Sequence, residues 1–517
     1  MTTTLKSYVC GAWFEGEAPA RNLHNPTTGE VVAEASTNGL DMAAALAFAR
    51  THGGPALRAM TFAERGTLLE LAAKAIHEER EALIDLALRN GGNTRKDAKF
   101  DIDGASGTLA FYGRLGQKLG DGKFLLDGGE TRLSRNPRYV GRHIRVPLTG
   151  CAVHINAFNF PAWGTCEKLA VSILAGVPVV SKPATSTAVV AARIAELFVA
   201  AEIFPAGAFS TIMGSVGDLL DHLTAQDVVA FTGSSDTARA IAGHPTVLAH
   251  NVRVNLEADS VNAAVLGSDA EPGSPTWDLF IREVAVDMTQ KAGQKCTAIR
   301  RVFVPRDLLD DVRTDLSEEL DRSATGDPGD KATTVGPLAT ASQLRDICAG
   351  IDRLRSVATV AYGDGKALER DGYFVAPTLL EVADGHAADA VHAHEVFGPV
   401  ATLIPFDGTA ADAVALVQRG DGGLVASVYS DDAAFLSEMI FGIAPFHGRI
   451  HVANKKVAEH SPGPGTVLPQ MQHGGPGRAG GGAELGGLRG LEFYTQRTAV
   501  QGLSPLLDKL FVDGVEA

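Results

Sequence analysis

Basic charge is scarce in this chain. Its 517 residues hold 46 Lys and Arg against 61 Asp and Glu, a formal net charge of −15. That argues against a nucleic-acid binder, which needs a basic stripe, and against docking on an anionic membrane surface. A small anionic ligand needs only a local basic pocket. Cysteine is scarce as well. The five present, Cys10, Cys151, Cys166, Cys296 and Cys348, are odd in number, widely spaced and without a CxxC pair. A disulfide framework and a zinc knuckle are thereby disfavoured, and a reducing compartment fits best. No apolar run reaches the ~18–20 residues that cross a bilayer. The opening stretch MTTTLKSYVCGAWFEGE lacks a basic segment followed by an apolar run, so it does not read as a secretory signal. A cytoplasmic protein with no nucleic-acid partner, no membrane and no metal is expected.

What is present is the composition of a globular protein, 45% hydrophobic and 21% charged. The length suggests about three domains, or two large ones. GCAVHINAF, GVPVVSKP, AFSTIMG and DVVAFTGS read as short buried strands. FPAWGTCEKLAVSILA, STAVVAARIAELFVAAEI and VGDLLDHLTA read as helices between them. This alternation over about 150–255 implies a parallel, doubly wound sheet, which binds ligands beyond the carboxyl ends of its strands. A second α/β region, about 258–458, contains the strands RRVFVP and VATLIPF and the helix LLDDVRTDLSEELDR. RNPRYVGRHIRVP and EFYTQRTAVQG look like extended strands outside both cores. HGGPGRAGGGAELGGLRG is too rich in glycine for helix or strand. Its Gly475, Gly477 and Gly480 form a GxGxxG, but no buried strand precedes it, so it reads as a loop passing close to other backbone or to substrate.

Several residues could carry chemistry. Cys296, in KAGQKCTAIR, has Lys291 and Lys295 near it in sequence and follows the helical FIREVAVDMTQKAG. A thiol there is a candidate nucleophile, although a buried structural cysteine is the commoner case. Glu257 closes the alternating strand VRVNL and is either a general base facing a cleft or a solvated strand end. Asn156 and Asn159, in INAFNFPAWGTCEK, can donate to an oxyanion or serve as caps. Lys182, just beyond VVS, can reach ribose or phosphate. Gly233 and Ser234 open a helix whose N-terminus suits a pyrophosphate. Glu395 and Phe397 lie in the loop HEVFGPV.

Taken in order, HNPTTGEVVAEAS, FNFP, SKPATST, FTGSS, LEADS, GQKC, GDPGDKATTVGPLAT, GYFVAPTLL, HEVFGPV and GGGAELGGLRGLEFYTQRTAV resemble the aldehyde dehydrogenase superfamily across nearly the whole chain. The resemblance implies an α/β fold. A Rossmann-like, doubly wound cofactor domain would span 1–132, 150–256 and 459–490, and a second α/β catalytic domain 257–458. A small β oligomerisation element would be built from 133–149 and 491–517. It further implies Cys296 as nucleophile, Asn159 with the Cys296 N–H as oxyanion hole, Glu257 as activator of the hydrolytic water, and Lys168 with Glu484 as a proton relay. Phe158, Lys182, Thr185, Gly233, Ser234, Glu395 and Phe397 would line the cofactor site.

Two departures carry information. The family's usual Glu-Leu-Gly-Gly-Lys reads EADSV here, so the cofactor is expected to sit differently near Ala258 and Asp259. Where many NAD-using members have a glutamate that grips the ribose 2′-hydroxyl, Thr185 stands. A neutral hydroxyl beside Lys182 tolerates a 2′-phosphate, so NADP is the expected cofactor, with NAD accepted second. EADSVNAAV, KAGQKCTAIRR and the glycine-rich tail are similar to the dehydrogenases of aerobic aromatic-acid (benzoate) degradation through CoA thioesters. The stand-alone type is expected, since no room follows TAVQG for a fused hydratase. The substrate expected is an aldehyde, here a semialdehyde CoA thioester. The rival readings are a general linear fatty-aldehyde dehydrogenase, a CoA-acylating enzyme and a catalytically silent relative. The two strand-like segments are expected to form a homodimer interface.

Overall fold

The computed structural model describes residues 3–516. Its first large sheet has seven strands in the order Arg253–Glu257, Val228–Thr232, Ala152–Ile155, Val179–Lys182, Phe209–Thr211, Ser7–Val9 and Ala12–Phe14. The first five are parallel; the last two add an antiparallel hairpin. Both faces are covered, so strands such as Val228–Thr232 are buried almost throughout and read as continuous apolar runs. The chain runs outward from Ala152–Ile155 in one direction and returns in the other through Val228–Thr232. The crevice at that reversal lies beyond the strands' carboxyl ends. Asn156, Asn159, Lys182, Gly233, Ser234 and Glu257 all sit at or just after those ends.

The helix Trp163–Ala175 covers this sheet. The Asp101 carboxylate caps its start, accepting the N–H groups of Ala162 at 3.3 Å and Trp163 at 2.8 Å. Gly176, with φ of 90°, ends it in the left-handed conformation that favours glycine. VGDLLDHLTA does not make the expected helix. Only one 3₁₀ turn, Leu219–His222, forms. Asp227 accepts the Thr224 N–H and hydroxyl and so turns the chain before a second turn can start.

A second seven-stranded sheet, ordered Thr359–Tyr362, Thr378–Glu381, Val400–Phe406, Ile299–Pro305, Asn262–Leu266, Gly423–Tyr429 and His447–Ala453, is parallel except at the first strand. Cys296 and Phe397 each stand three residues before one of its central strands. The amino edge of this sheet therefore faces the carboxyl edge of the first. A third sheet pairs Tyr139–Pro147 with Thr495–Leu503 over nine residue pairs and takes in Phe124–Leu126, Thr131–Arg132 and Gly514–Glu516.

The glycine-rich segment departs from its expected loop. Gln472–Gly474 and Ala483–Leu485 form an antiparallel ribbon in which His473 lies opposite Glu484. Its glycines permit contact with other backbone: a Cβ on Gly480 or Gly482 would stand 2.4 Å from the Leu256 carbonyl oxygen. Bonds from Gly482 N to Leu256 O and from Ala258 N to Ala479 O, both 3.0 Å, fasten the ribbon on either side of Glu257.

Candidate active site

The loop bearing Cys296 is tightly specified. The helix before it stops at Thr289, short of the expected Gly293, because Lys291, Ala292 and Gly293 take φ of 55°, 52° and 69°. Left-handed conformations cost free energy in residues other than glycine and persist only where surrounding contacts hold them. Here Arg300 donates to the carbonyls of Gly293, Lys295 and Gly398 at 2.8, 3.2 and 2.7 Å. Asn262 donates to Cys296 O at 2.7 Å and Ala298 O at 2.9 Å, and Asn159 Nδ2 to Gln294 O at 3.0 Å. These bonds fix the backbone carbonyls on both sides of the thiol.

The thiol meets a carboxylate. Glu257 is 2% exposed, and one of its oxygens lies 3.1 Å from His473 Nε2, itself 3.9 Å from Cys296 Sγ. These three side chains present their ligand atoms within 4.8 Å of one another. Burial opposes ionisation of Glu257, but the His473 charge and hydrogen bond, with Lys168 behind, hold its carboxyl below the usual range. Burial likewise opposes a charge on His473, and Glu257 outweighs it, raising the imidazole. Burial, then Glu257, pushes the Cys296 thiol well up. Lys291 and Lys295, which stand near the thiol in sequence, are turned to other partners. Lys291 donates to Asn93 at 2.7 Å and Lys295 to Asp287 at 2.6 Å.

Behind this group, Lys168 is buried between Glu167 at 3.1 Å and Glu484 at 3.2 Å. Against the cost of burial, the two carboxylates keep Lys168 firmly charged. Glu484, which also accepts from Asn255 at 2.8 Å, is pushed up to about 7 by burial.

Cys296, Glu257 and Asn159 line two cavities at once. The inner one, about 40 Å³, is narrow and walled by Phe100, Phe160, Trp163 and Val467, with His473 and Lys168 at its polar end. The outer cleft, about 450 Å³, takes in Phe158, Gly233, Ser234, Ala258, Asp259, Glu395 and Phe397. Phe158 and Phe397 meet edge to face at 5.9 Å. Glu395 is pushed up to about 8, mainly by burial, and its Oε1, 3.8 Å from Arg300 Nε, has no hydrogen-bond partner among the described residues; nor has the buried Oδ1 of Asn156. The Gly233 N–H is spent on Glu257 O. Ser234 caps the helix Ser235–Ala242, and Asp259 accepts the Ser235 N–H at 3.0 Å. The EADSV departure thus puts a carboxylate at a helix end expected to receive phosphate.

A third pocket, about 530 Å³, shares Phe158, Ala184 and Gln343 with the cleft and holds Lys182, Thr185, Arg21, His24 and Arg345. Among the described residues, no carboxylate lines it. Burial, then Arg21, lowers Lys182 to about 8. The Thr185 hydroxyl donates to Gly214 O at 2.8 Å, so it offers a ligand only lone pairs.

Of the residues singled out in the sequence, Cys296, Glu257, Asn156, Asn159, Lys168, Phe158, Lys182, Thr185, Gly233, Ser234, Glu395 and Phe397 line cavities that share walls, while Glu484 lies behind them against Lys168. His473 was missed. It sits in a segment read as loop, and only its ribbon pairing with Glu484 reveals which way it faces. Arg21 was missed because it comes from the strand Arg21–His24, outside the alternating region.

A model of the aldehyde dehydrogenase family matches residues 13–500. The 3,4-dehydroadipyl-CoA semialdehyde dehydrogenase of Aromatoleum evansii is 47% identical over 91% of this chain and 93% of its own length. Lactaldehyde dehydrogenase from Escherichia coli superposes with a TM-score of 0.84 at 23% identity, over 98% of this chain and 100% of that one. An aldehyde dehydrogenase from Bacillus cereus in complex with NAD+ gives 0.85 at 24% identity, over 97% and 96%.

Proposed function

The chain belongs to the aldehyde dehydrogenase family, and from that premise we propose that it oxidises a semialdehyde carried on a CoA thioester, with NADP as preferred acceptor and a free acid as product. It is an NAD(P)-dependent oxidoreductase acting on an aldehyde. The observation that carries the mechanism is the thiol at the junction of two cavities, with a buried carboxylate beside it.

In this reading the aldehyde enters by the narrow inner cavity, whose aromatic walls suit a slender unbranched chain, and Cys296 gives up its thiol proton to solvent as Sγ adds to the carbonyl carbon. The Cys296 N–H and the amide hydrogen of Asn159 not given to Gln294 are the donors for the oxyanion. A nicotinamide bound in the outer cleft supplies the acceptor for the hydride that leaves the thiohemiacetal. Glu257 takes a proton from the water that attacks the thioester. Its Oε1 is buried without a hydrogen-bond partner while His473 grips the other oxygen, so one lone pair is held ready. Lys168 and Glu484 carry the proton away: the Lys168 ammonium gives one of its own protons to Glu484 and then takes up the one held by Glu257.

The residues of the cleft fit the cofactor. The orphaned oxygens of Glu395 and Asn156 suit ribose or amide donors, and Phe158 and Phe397 flank them. Ser234 stands for the phosphates. Since Asp259 occupies a neighbouring N–H, phosphate is held by fewer amides than the helix end could offer. A 2′-phosphate is favoured by Lys182 and Arg21 in a pocket without carboxylates, and Thr185 allows it room. On this division 1–132, 150–256 and 459–490 bind cofactor, 257–458 carries catalysis, and 133–149 with 491–517 serves assembly. The strand Thr495–Leu503 and the following helix expose Leu503, Leu506 and Leu510, which suits a homodimer.

The CoA-thioester substrate is supported by the identity to the Aromatoleum enzyme. Water rather than CoA as acyl acceptor is supported by Glu257. A steady-state screen of linear aldehydes against semialdehyde CoA thioesters, with NADP and with NAD and with product analysis, tests the substrate, the cofactor and the acyl acceptor. Faster turnover of free linear aldehydes overturns the substrate class, a clear NAD preference overturns the cofactor, and an acyl-CoA product formed only with free CoA overturns the hydrolysis.

A further inference from the structure

Cys296, His473 and Glu257 are more than a nucleophile with its base. They offer one sulfur, one imidazole nitrogen and one carboxylate oxygen to a common point, from three distant parts of the chain. Such a set is that of a three-ligand zinc site with an open fourth position. Tetrahedral bonds of ~2.0–2.3 Å space ligand atoms roughly 3.3–3.7 Å apart. Here His473 Nε2 lies 3.1 Å from Glu257 Oε2 and 3.9 Å from Cys296 Sγ, and the widest separation is under 4.8 Å. Bringing the widest pair to that spacing shortens its separation by about 1 Å. Glu257 Oε1 is buried without a hydrogen-bond partner beside it. All three residues line the inner cavity, which provides the entry path and leaves the fourth position facing the incoming substrate.

We propose that Zn²⁺ binds at Cys296, His473 and Glu257 and reversibly switches the enzyme off. Binding breaks the S–H bond of Cys296. The thiol proton, and the imidazolium proton where present, pass to solvent, and sulfur, nitrogen and carboxylate oxygen each donate a lone pair to the ion. The ion then occupies both the nucleophile's lone pair and the base, so neither addition to the aldehyde nor activation of water proceeds. Held in this way, the sulfur is also shielded from electrophiles.

The consequence for turnover rests on the function proposed above; the site itself does not. The test therefore has two arms on the full-length, metal-stripped protein. In the first, equilibrium dialysis with Zn²⁺ and absorption spectroscopy with Co²⁺ report binding without any turnover. One ion per chain and a thiolate-to-cobalt charge-transfer band are expected. The band disappears in Cys296→Ser, and affinity falls roughly 100-fold or more in His473→Asn, since losing even an outer partner of a metal ligand costs 10–100-fold. His473→Phe serves as a second variant should Asn disturb the ribbon. In the second arm, NADP-linked aldehyde oxidation is lost at one Zn²⁺ per chain, returns with chelator, and falls in parallel with protection of Cys296 from iodoacetamide. No stoichiometric binding, or a cobalt band that survives Cys296→Ser, overturns the proposal. A protein that binds the ion yet oxidises no aldehyde overturns the function instead.

Discussion

Replacing Glu257 by Gln removes a charge and a base while keeping the shape. Two effects follow with opposite signs. Hydrolysis of the thioester loses its general base, so steady turnover should fall about 10²–10⁴-fold. The thiol, by contrast, loses a repelling neighbour. With the ligand atoms within 4.8 Å, a carboxylate opposes a thiolate by about 3.5 kcal/mol at an effective dielectric of ~20. That corresponds to roughly 2.5 pH units in thiol ionisation. The imidazolium of His473 offsets part of this in the native site, and without Glu257 burial opposes that charge, so the expected movement is downward but smaller than the full figure. Two assays follow. Rapid-mixing absorbance should show a burst of one reduced cofactor per chain followed by near arrest. The rate of iodoacetamide alkylation against pH should shift to lower pH. Loss of the burst would mean that Glu257 also takes the thiol's proton, and an alkylation profile that stays put or moves upward would refute the electrostatic argument.

Three other outcomes are expected. Asn159→Ala removes an oxyanion donor and should lower kcat about 10²–10³-fold with a smaller change in KM; steady-state kinetics on a folded variant checks this. Lys182 is held at about 8, so it carries its charge below that pH and loses it above. The ratio of kcat/KM with NADP to that with NAD should therefore decline from pH 7 to 9, and a flat ratio would remove Lys182 from recognition of the 2′-phosphate. Lys168→Met leaves Glu167 and Glu484 buried without their cation, a loss of up to about 3–5 kcal/mol. Glu484 already binds its proton up to about 7 with Lys168 beside it, and losing that cation raises it further, so above pH 7 the folded variant keeps a proton that the wild type has released. Urea denaturation should show the deficit growing as pH rises above about 7 and shrinking as pH falls.

Much of this protein was legible in its residues alone. Alternating buried strands and amphipathic helices over 150–255 implied a doubly wound sheet, because a strand covered on both faces must be apolar throughout, as Val228–Thr232 is. Strand ends alone place Lys182, Gly233 and Glu257 at the crevice. Local reading failed where a residue's direction depends on a distant partner. Lys291 and Lys295 precede Cys296 closely in sequence but turn to Asn93 and Asp287. The 3₁₀ turn at Leu219–His222 replaced a helix because Asp227 reached back to Thr224. Glycine content concealed a ribbon, since the periodicity of two that marks a strand needs side chains that glycine lacks.

The chain's own order thus determined which chemical groups are present and which sheet edge each one caps, for these follow from backbone geometry within a few residues. Only the tertiary structure decided that His473 meets Glu257 and Cys296, and that Arg21 joins Lys182. Those meetings join positions 216 and 161 residues apart, and at such separations nothing in local conformation selects one partner over another. Packing of the ribbon against Leu256, and of the first strands against the crevice, makes that selection.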